Sequence, residues 1–126
     1  MKLRCSENSI RLRLRKSEVE KLKEVPVLKE NVQVGLDVFS YGIGKTAAAI
    51  IHATFDDGCI LLHIPEEEMM QWVNDAEQVG MSAEQLLKNG QYLSILIEKD
   101  FPCINRPEED KADTFQQLAA KEGDVC

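Results

Sequence analysis

Polar and apolar residues alternate over the first fifteen positions. Met1, Leu3 and Cys5 alternate with Lys2 and Arg4, and Ile10, Leu12 and Leu14 alternate with Arg11, Arg13 and Arg15. A period of two marks a half-buried strand, so residues 1–15 read as a β-hairpin. A tight turn at Glu7-Asn8 sets Cys5 opposite Ile10, Leu3 opposite Leu12, Arg4 opposite Arg11 and Lys2 opposite Arg13. The apolar pairs then share one face and the basic pairs the other. A slip of one residue in one strand would mix the two faces.

Further along, the spacing changes. Ser17 and Glu20 have capping-box spacing, Val19 and Leu22 form a short apolar stripe, and Pro26 stops the run. These signals predict a helix over about 17–24. Val32, Val34, Leu36 and Val38 alternate with polar residues and predict a strand over 31–40, with a glycine turn over 41–45. Two apolar runs, 46–55 and 59–64, flank Asp56-Asp57-Gly58, a strong hairpin signal. After Pro65, the Glu66-Glu67-Glu68 triplet suits the positive end of a helix dipole. Met69, Trp72, Val73 and Ala76 then recur at helical spacing up to Gly80. Ser82 with Gln85 predicts a second short helix carrying Leu86 and Leu87, closed by Asn89-Gly90. Residues 92–97 read as a final strand. The expected order is ββ-α-βββ-αα-β, with no internal repeat visible in the sequence. The expected fold is α+β: a mainly antiparallel, curved sheet of about six strands, open or barrel-like, with two or three packed helices.

The chain has 126 residues and 44% hydrophobic positions, the size and make-up of one globular domain. It is expected to be a single domain over 1–126, with an acidic, partly irregular tail from about 101. Two-domain enzymes, transporters and fibrous proteins are excluded. No stretch approaches the roughly 18 apolar residues of a membrane span, and the opening lacks the apolar run of a secretory signal, so a cytoplasmic location is expected. Cys5, Cys59, Cys103 and Cys126 form no close pair, and Cys5 and Cys59 read as small core residues.

Charge adds the main functional clue. The formal net charge is -7, yet residues 1–29 hold nine basic and four acidic residues. Most of that excess lies on one face of the first hairpin. Like charges facing each other across strands are unfavourable, so something must compensate. Glu98, Asp100 and the acidic tail are the internal candidates. An external anion is the alternative, because arginines on a rigid strand present forked donors to phosphate or carboxylate. The candidate anion- or partner-binding residues are Arg4, Arg11, Arg13, Arg15 and Lys99. The leading reading is a small non-enzymatic binding or interaction protein that uses this face, its partner a protein or a small anion. The alternative is a small enzyme or sensor holding a phosphorylated or carboxylated metabolite there. Nucleic acid fits less well, since the chain is acidic overall and no stacking aromatic sits in the basic hairpin.

Other motifs carry less. Gly44-Lys45-Thr46 suggests a phosphate loop, but Phe39 stands where the pattern needs glycine. His52 and His63 face each other if the turn is Asp57-Gly58 alone. Two imidazoles are an incomplete ligand set, so no metal or cofactor is expected. Cys103, close to Arg106, is a candidate reactive thiol that lacks an identifiable base.

The stretch Asn8-Ser9-Ile10-Arg11-Leu12-Arg13-Leu14, followed by Lys16-Ser17-Glu18-Val19, resembles the start of a family of small uncharacterised bacterial proteins. Ile95-Leu96-Ile97-Glu98-Lys99-Asp100-Phe101, with Cys103, Arg106, Pro107, Glu109 and Asp110, is similar to that family's closing segment. The resemblance implies a bacterial cytosolic protein and transfers no activity. Residues 116–126 run past the family's usual end. The opening also faintly resembles the swapped-hairpin domains of antitoxins and transition-state regulators, which are shorter and commonly basic here. The triphosphate-tunnel enzymes share basic strands but need a Glu-x-Glu-x-Lys run that is absent.

Overall fold

A computed structural model describes residues 1–100 and Phe115. Among them the chain forms β1 (Lys2–Ser6), β2 (Ser9–Leu14), α1 (Lys16–Lys21), β3 (Val27–Val34), β4 (Asp37–Thr46), β5 (His52–Asp56), β6 (Cys59–Pro65), α2 (Glu66–Asn74), β7 (Gly80–Leu86) and β8 (Tyr92–Lys99). The α+β class holds. The single, mainly antiparallel sheet of about six strands does not. There are two four-stranded mixed sheets, ordered β1-β2-β8-β7 and β3-β4-β6-β5, and neither closes into a barrel. Each consists of two antiparallel hairpins joined through a central parallel pair, β2 with β8 and β4 with β6.

The first hairpin has the register its alternation requires: Lys2 opposite Arg13, Leu3 opposite Leu12, Arg4 opposite Arg11 and Cys5 opposite Ile10. Glu7 and Asn8 both take positive φ, 47° and 59°, as a two-residue turn matched to strand twist requires. Asp57 and Gly58 do the same at 51° and 70°, which sets His52 opposite His63.

Three strands depart from the sequence pattern. β3 begins at Val27, directly after Pro26, and turns at Gly35, so β4 runs through the segment expected to be a glycine turn. Gly42 lies inside β4 because the β3 backbone passes too close for a side chain: a Cβ there would collide with the Leu28 carbonyl oxygen. β7 replaces the expected second short helix. Met81 is buried and Ala83 and Gln85 half-buried, while Ser82, Glu84 and Leu86 are exposed, a period-two pattern completed by pairing with β8. The first helix starts at Lys16, where the Arg15 N–H donates to the Glu18 carboxylate at 2.8 Å.

The strand registers reveal an internal two-fold relation. The unit β1-β2-α1-β3-β4 is followed by β5-β6-α2-β7-β8. Lys2, Ser9 and Lys16, which open β1, β2 and α1, are matched fifty positions later by His52, Cys59 and Glu66, which open β5, β6 and α2. The first hairpin of each unit pairs with the second hairpin of the other. Ser9 to Leu14 run beside Ser94 to Lys99, and Cys59 to Ile64 beside Ser40 to Lys45. Matching hydrogen bonds follow, Lys45 N–H to Pro26 O and Lys99 N–H to Val79 O, both 2.9 Å. The matched positions Leu12 and Leu62, Leu14 and Ile64, Val19 and Met69, Leu22 and Trp72, and Ile43 and Ile97 are all buried in one core.

Candidate anion-binding face

With Leu12, Leu14, Ile95 and Ile97 buried, the alternate residues of the first sheet point outward. Its registers arrange them in rows. One row is Lys2, Arg13, Glu98 and Gly80, the next is Arg4, Arg11, Leu96 and Ser82, and the third is Ser6, Ser9, Ser94 and Glu84. Positive charge therefore fills the β1–β2 half and gives way to hydroxyls and then to a carboxylate at β7.

Lys2, Arg4, Arg11 and Arg13 line a pit of about 50 Å³. Glu98 sits at its edge and accepts from Arg11 Nε at 2.6 Å and from an Arg13 terminal nitrogen at 3.4 Å. This is the expected internal compensation, and it acts on the two inner cations: Arg13 is buried and Arg11 half-buried. Lys2 and Arg4 are exposed and make no ion pair among the described residues. Beside the pit lies a shallow depression of about 540 Å³, lined in part by Ser9, Arg11, Ser82, Glu84, Ser94 and Leu96. Across it the Ser94 hydroxyl donates to the Glu84 carboxylate at 2.8 Å.

Two of the five candidate residues lie elsewhere. Arg15 is exposed at the start of α1. Lys99 points to the opposite face of the sheet, because it neighbours Glu98 on a strand. It is only 1% exposed, donates from Nζ to the Asp75 carbonyl at 2.6 Å, and lies over the Trp72 and Phe115 rings at 5.5 and 5.4 Å. Burial lowers its pKa, partly offset by the charge of Asp75. Lys99 braces α2 against the sheet and does not meet the arginines. Asp100 is buried too.

The two-fold relation sets a contrasting face on the other sheet. There His52 and His63 stand in place of Lys2 and Arg13, and Thr54 and Leu61 in place of Arg4 and Arg11. The imidazoles stack with centroids 4.5 Å apart and planes at 8°. His52 Nδ1 lies 3.2 Å from the Ile50 carbonyl and His63 Nε2 lies 2.8 Å from Thr54 Oγ1. Burial, then the neighbouring His52, lowers the His63 pKa. Stacking turns the ring lone pairs into parallel planes. One ion at the roughly 2.0 Å zinc–nitrogen distance cannot lie in both planes unless a ring rotates.

Of the cysteines, Cys5 is exposed and Cys59 half-buried, so neither is a core residue. Cys5 sits near the end of β1, whose residues Arg4 to Ser6 are all exposed. Cys103 lies outside the described residues. Sequence reasoning missed Ser82, Glu84 and Ser94. For Ser82 and Glu84 the one signal was the weak alternation over 80–86, obscured by the helix-cap spacing of Ser82 and Gln85, whereas Ser94 lies in the strand expected over 92–97.

The chain matches over residues 1–118 the model of a family described as a family of unknown function (DUF7009). It belongs to DUF7009. No curated protein and no solved structure matches it. The DUF7009 match spans both sheets and therefore the whole cationic face. No helix among the described residues is long and apolar enough to cross a membrane.

Proposed function

We propose that the protein is a small non-enzymatic binding protein whose contact surface is the outer face of the first sheet, where it takes an anionic group. The observation that carries this reading is the pit lined by Lys2, Arg4, Arg11 and Arg13, in which Glu98 engages the two inner cations while the outer two stay exposed. Holding like charges together across two strands costs stability. Lys2 and Arg4 add to that repulsion, and an anion above the pit relieves it. Arg11 and Arg4 supply forked donors suited to carboxylate or phosphate.

Lys2 and Arg4 are the proper test positions. Removing Arg11 or Arg13 would strip Glu98 of a partner and disturb the fold as well as the site. The double variant Lys2→Ala/Arg4→Ala should melt at or somewhat above the wild-type temperature in the absence of ligand, because it removes the repulsion. It should also lose the saturable rise in melting temperature that phosphate, pyrophosphate or citrate give the wild type at low salt. Equal ligand-induced shifts in variant and wild type would refute the assignment.

A further inference from the structure

The cationic pit is one end of a larger surface site whose lining is mixed, with Ile10, Ala83, Ile95 and Leu96 beside the polar residues. It shares Arg11 with the neighbouring depression, whose volume of about 540 Å³ falls within the roughly 300–1,000 Å³ of small-molecule sites. Ser9, Ser82 and Ser94 present short hydroxyl side chains there, with Leu96 between them, and Glu84 closes the far side. The surface is therefore bipolar. Arg11 and Ser82 stand two strands apart, about 10 Å across the sheet, so phosphate alone cannot reach from one to the other. The Glu84 carboxylate accepts one hydrogen bond from Ser94 and keeps acceptor capacity for more. The matched face of the other sheet has Lys29, Asn31 and Ser40 where this one has Ser82, Glu84 and Ser94, so the bipolar arrangement belongs to one sheet only.

Resting on the anion-binding reading above, we propose that the ligand of this face is a phosphorylated amino sugar. Its phosphate meets Lys2, Arg4 and Arg11, its hydroxyls meet Ser9, Ser82 and Ser94, and its ammonium group meets Glu84. The leucine between the serines suits the apolar face of a sugar ring.

The test is calorimetric titration of the full chain at low salt with three probes: inorganic phosphate, glucose 6-phosphate and glucosamine 6-phosphate. Affinity should rise at least tenfold from phosphate to glucose 6-phosphate and several-fold again to glucosamine 6-phosphate. Glu84→Gln should erase the second step and leave the first. Ser82→Val, which puts a branched apolar group into the depression, should bring both sugars down to the level of phosphate. Equal affinity for the three probes would overturn the inference and leave the anion-binding face standing, as would an unchanged order in both variants. Failure of all three to bind would overturn the anion-binding reading itself.

Discussion

Glu30 shows how a polar cluster holds one corner of the molecule. Burial works to raise its pKa, but the Tyr41 hydroxyl at 2.7 Å and the Met1 ammonium at 3.0 Å outweigh burial and hold it low. Burial, then the Glu30 carboxylate, pushes the Tyr41 phenol up to about 12. Tyr41→Phe should remove a phenolate absorbance step near that pH and cost about 1–3 kcal/mol of stability, as expected for a hydrogen bond to a charged group. Alkaline spectrophotometric titration and urea unfolding check the two effects. The histidine pair gives a pH effect of definite sign. His63 has a lowered pKa in the folded chain, whereas the unfolded chain takes up the proton at the ordinary 6.5 or so. Between those values the unfolded state binds more protons, so stability falls as pH drops below about 6.5. Denaturation midpoints at pH 7.5 and 5.5 should therefore differ less in His63→Gln than in the wild type. Alternation alone left these residues either opposite each other or out of register, and the two-residue Asp57-Gly58 turn decides that they pair. The place of Lys99 is a matter of alternation, since its neighbour Glu98 carries the outward position.

Strands and helices were legible where local signals agreed with tertiary packing. The first hairpin, the hairpin at Asp56-Asp57-Gly58 and the start of α2 combine periodicity with a turn or a charged first turn, and all three formed, although α2 ends at Asn74, short of the expected Gly80. β3, β4 and β7 escaped because a local signal misled. Gly42 and Gly44 read as a turn, but Gly42 serves close strand approach and Gly44 packs against Val27. Gly42→Ala should destabilise the protein by about 1–3 kcal/mol or more, the range of overpacking that forces a backbone shift, with urea unfolding as the check. Gly35, at φ 61° with open space around it, is the actual turn glycine. Ser82 and Gln85 mimic a helix cap, but pairing from Gly80 to Leu86 along β8 overrides that preference, as tertiary context commonly does. Misreading β7 hid Ser82 and Glu84, and with them half of the candidate site.

Two interlocked ββαββ units make up residues 2–99, and their kinship survives in buried positions while the surfaces have diverged. That is why no repeat shows in the sequence: Arg13 and Lys2 on one sheet correspond to His63 and His52 on the other. Because both units feed one core, Leu12→Ala and Leu62→Ala should each cost about 2–5 kcal/mol and leave a single cooperative urea transition. Two separate transitions would contradict a shared core. The divergence also separates the two faces, since among the described residues the cationic pit lies on the first sheet. The most direct measurement is an NMR titration of the arginine Nε–Hε and backbone amide signals with phosphate at low salt. Saturable shifts should appear at Arg4 and Arg11 and in the adjacent backbone, with no change at His52, Thr54 or His63. Shifts spread evenly over both sheets, or none at Arg4 and Arg11, would contradict a specific anion-binding face.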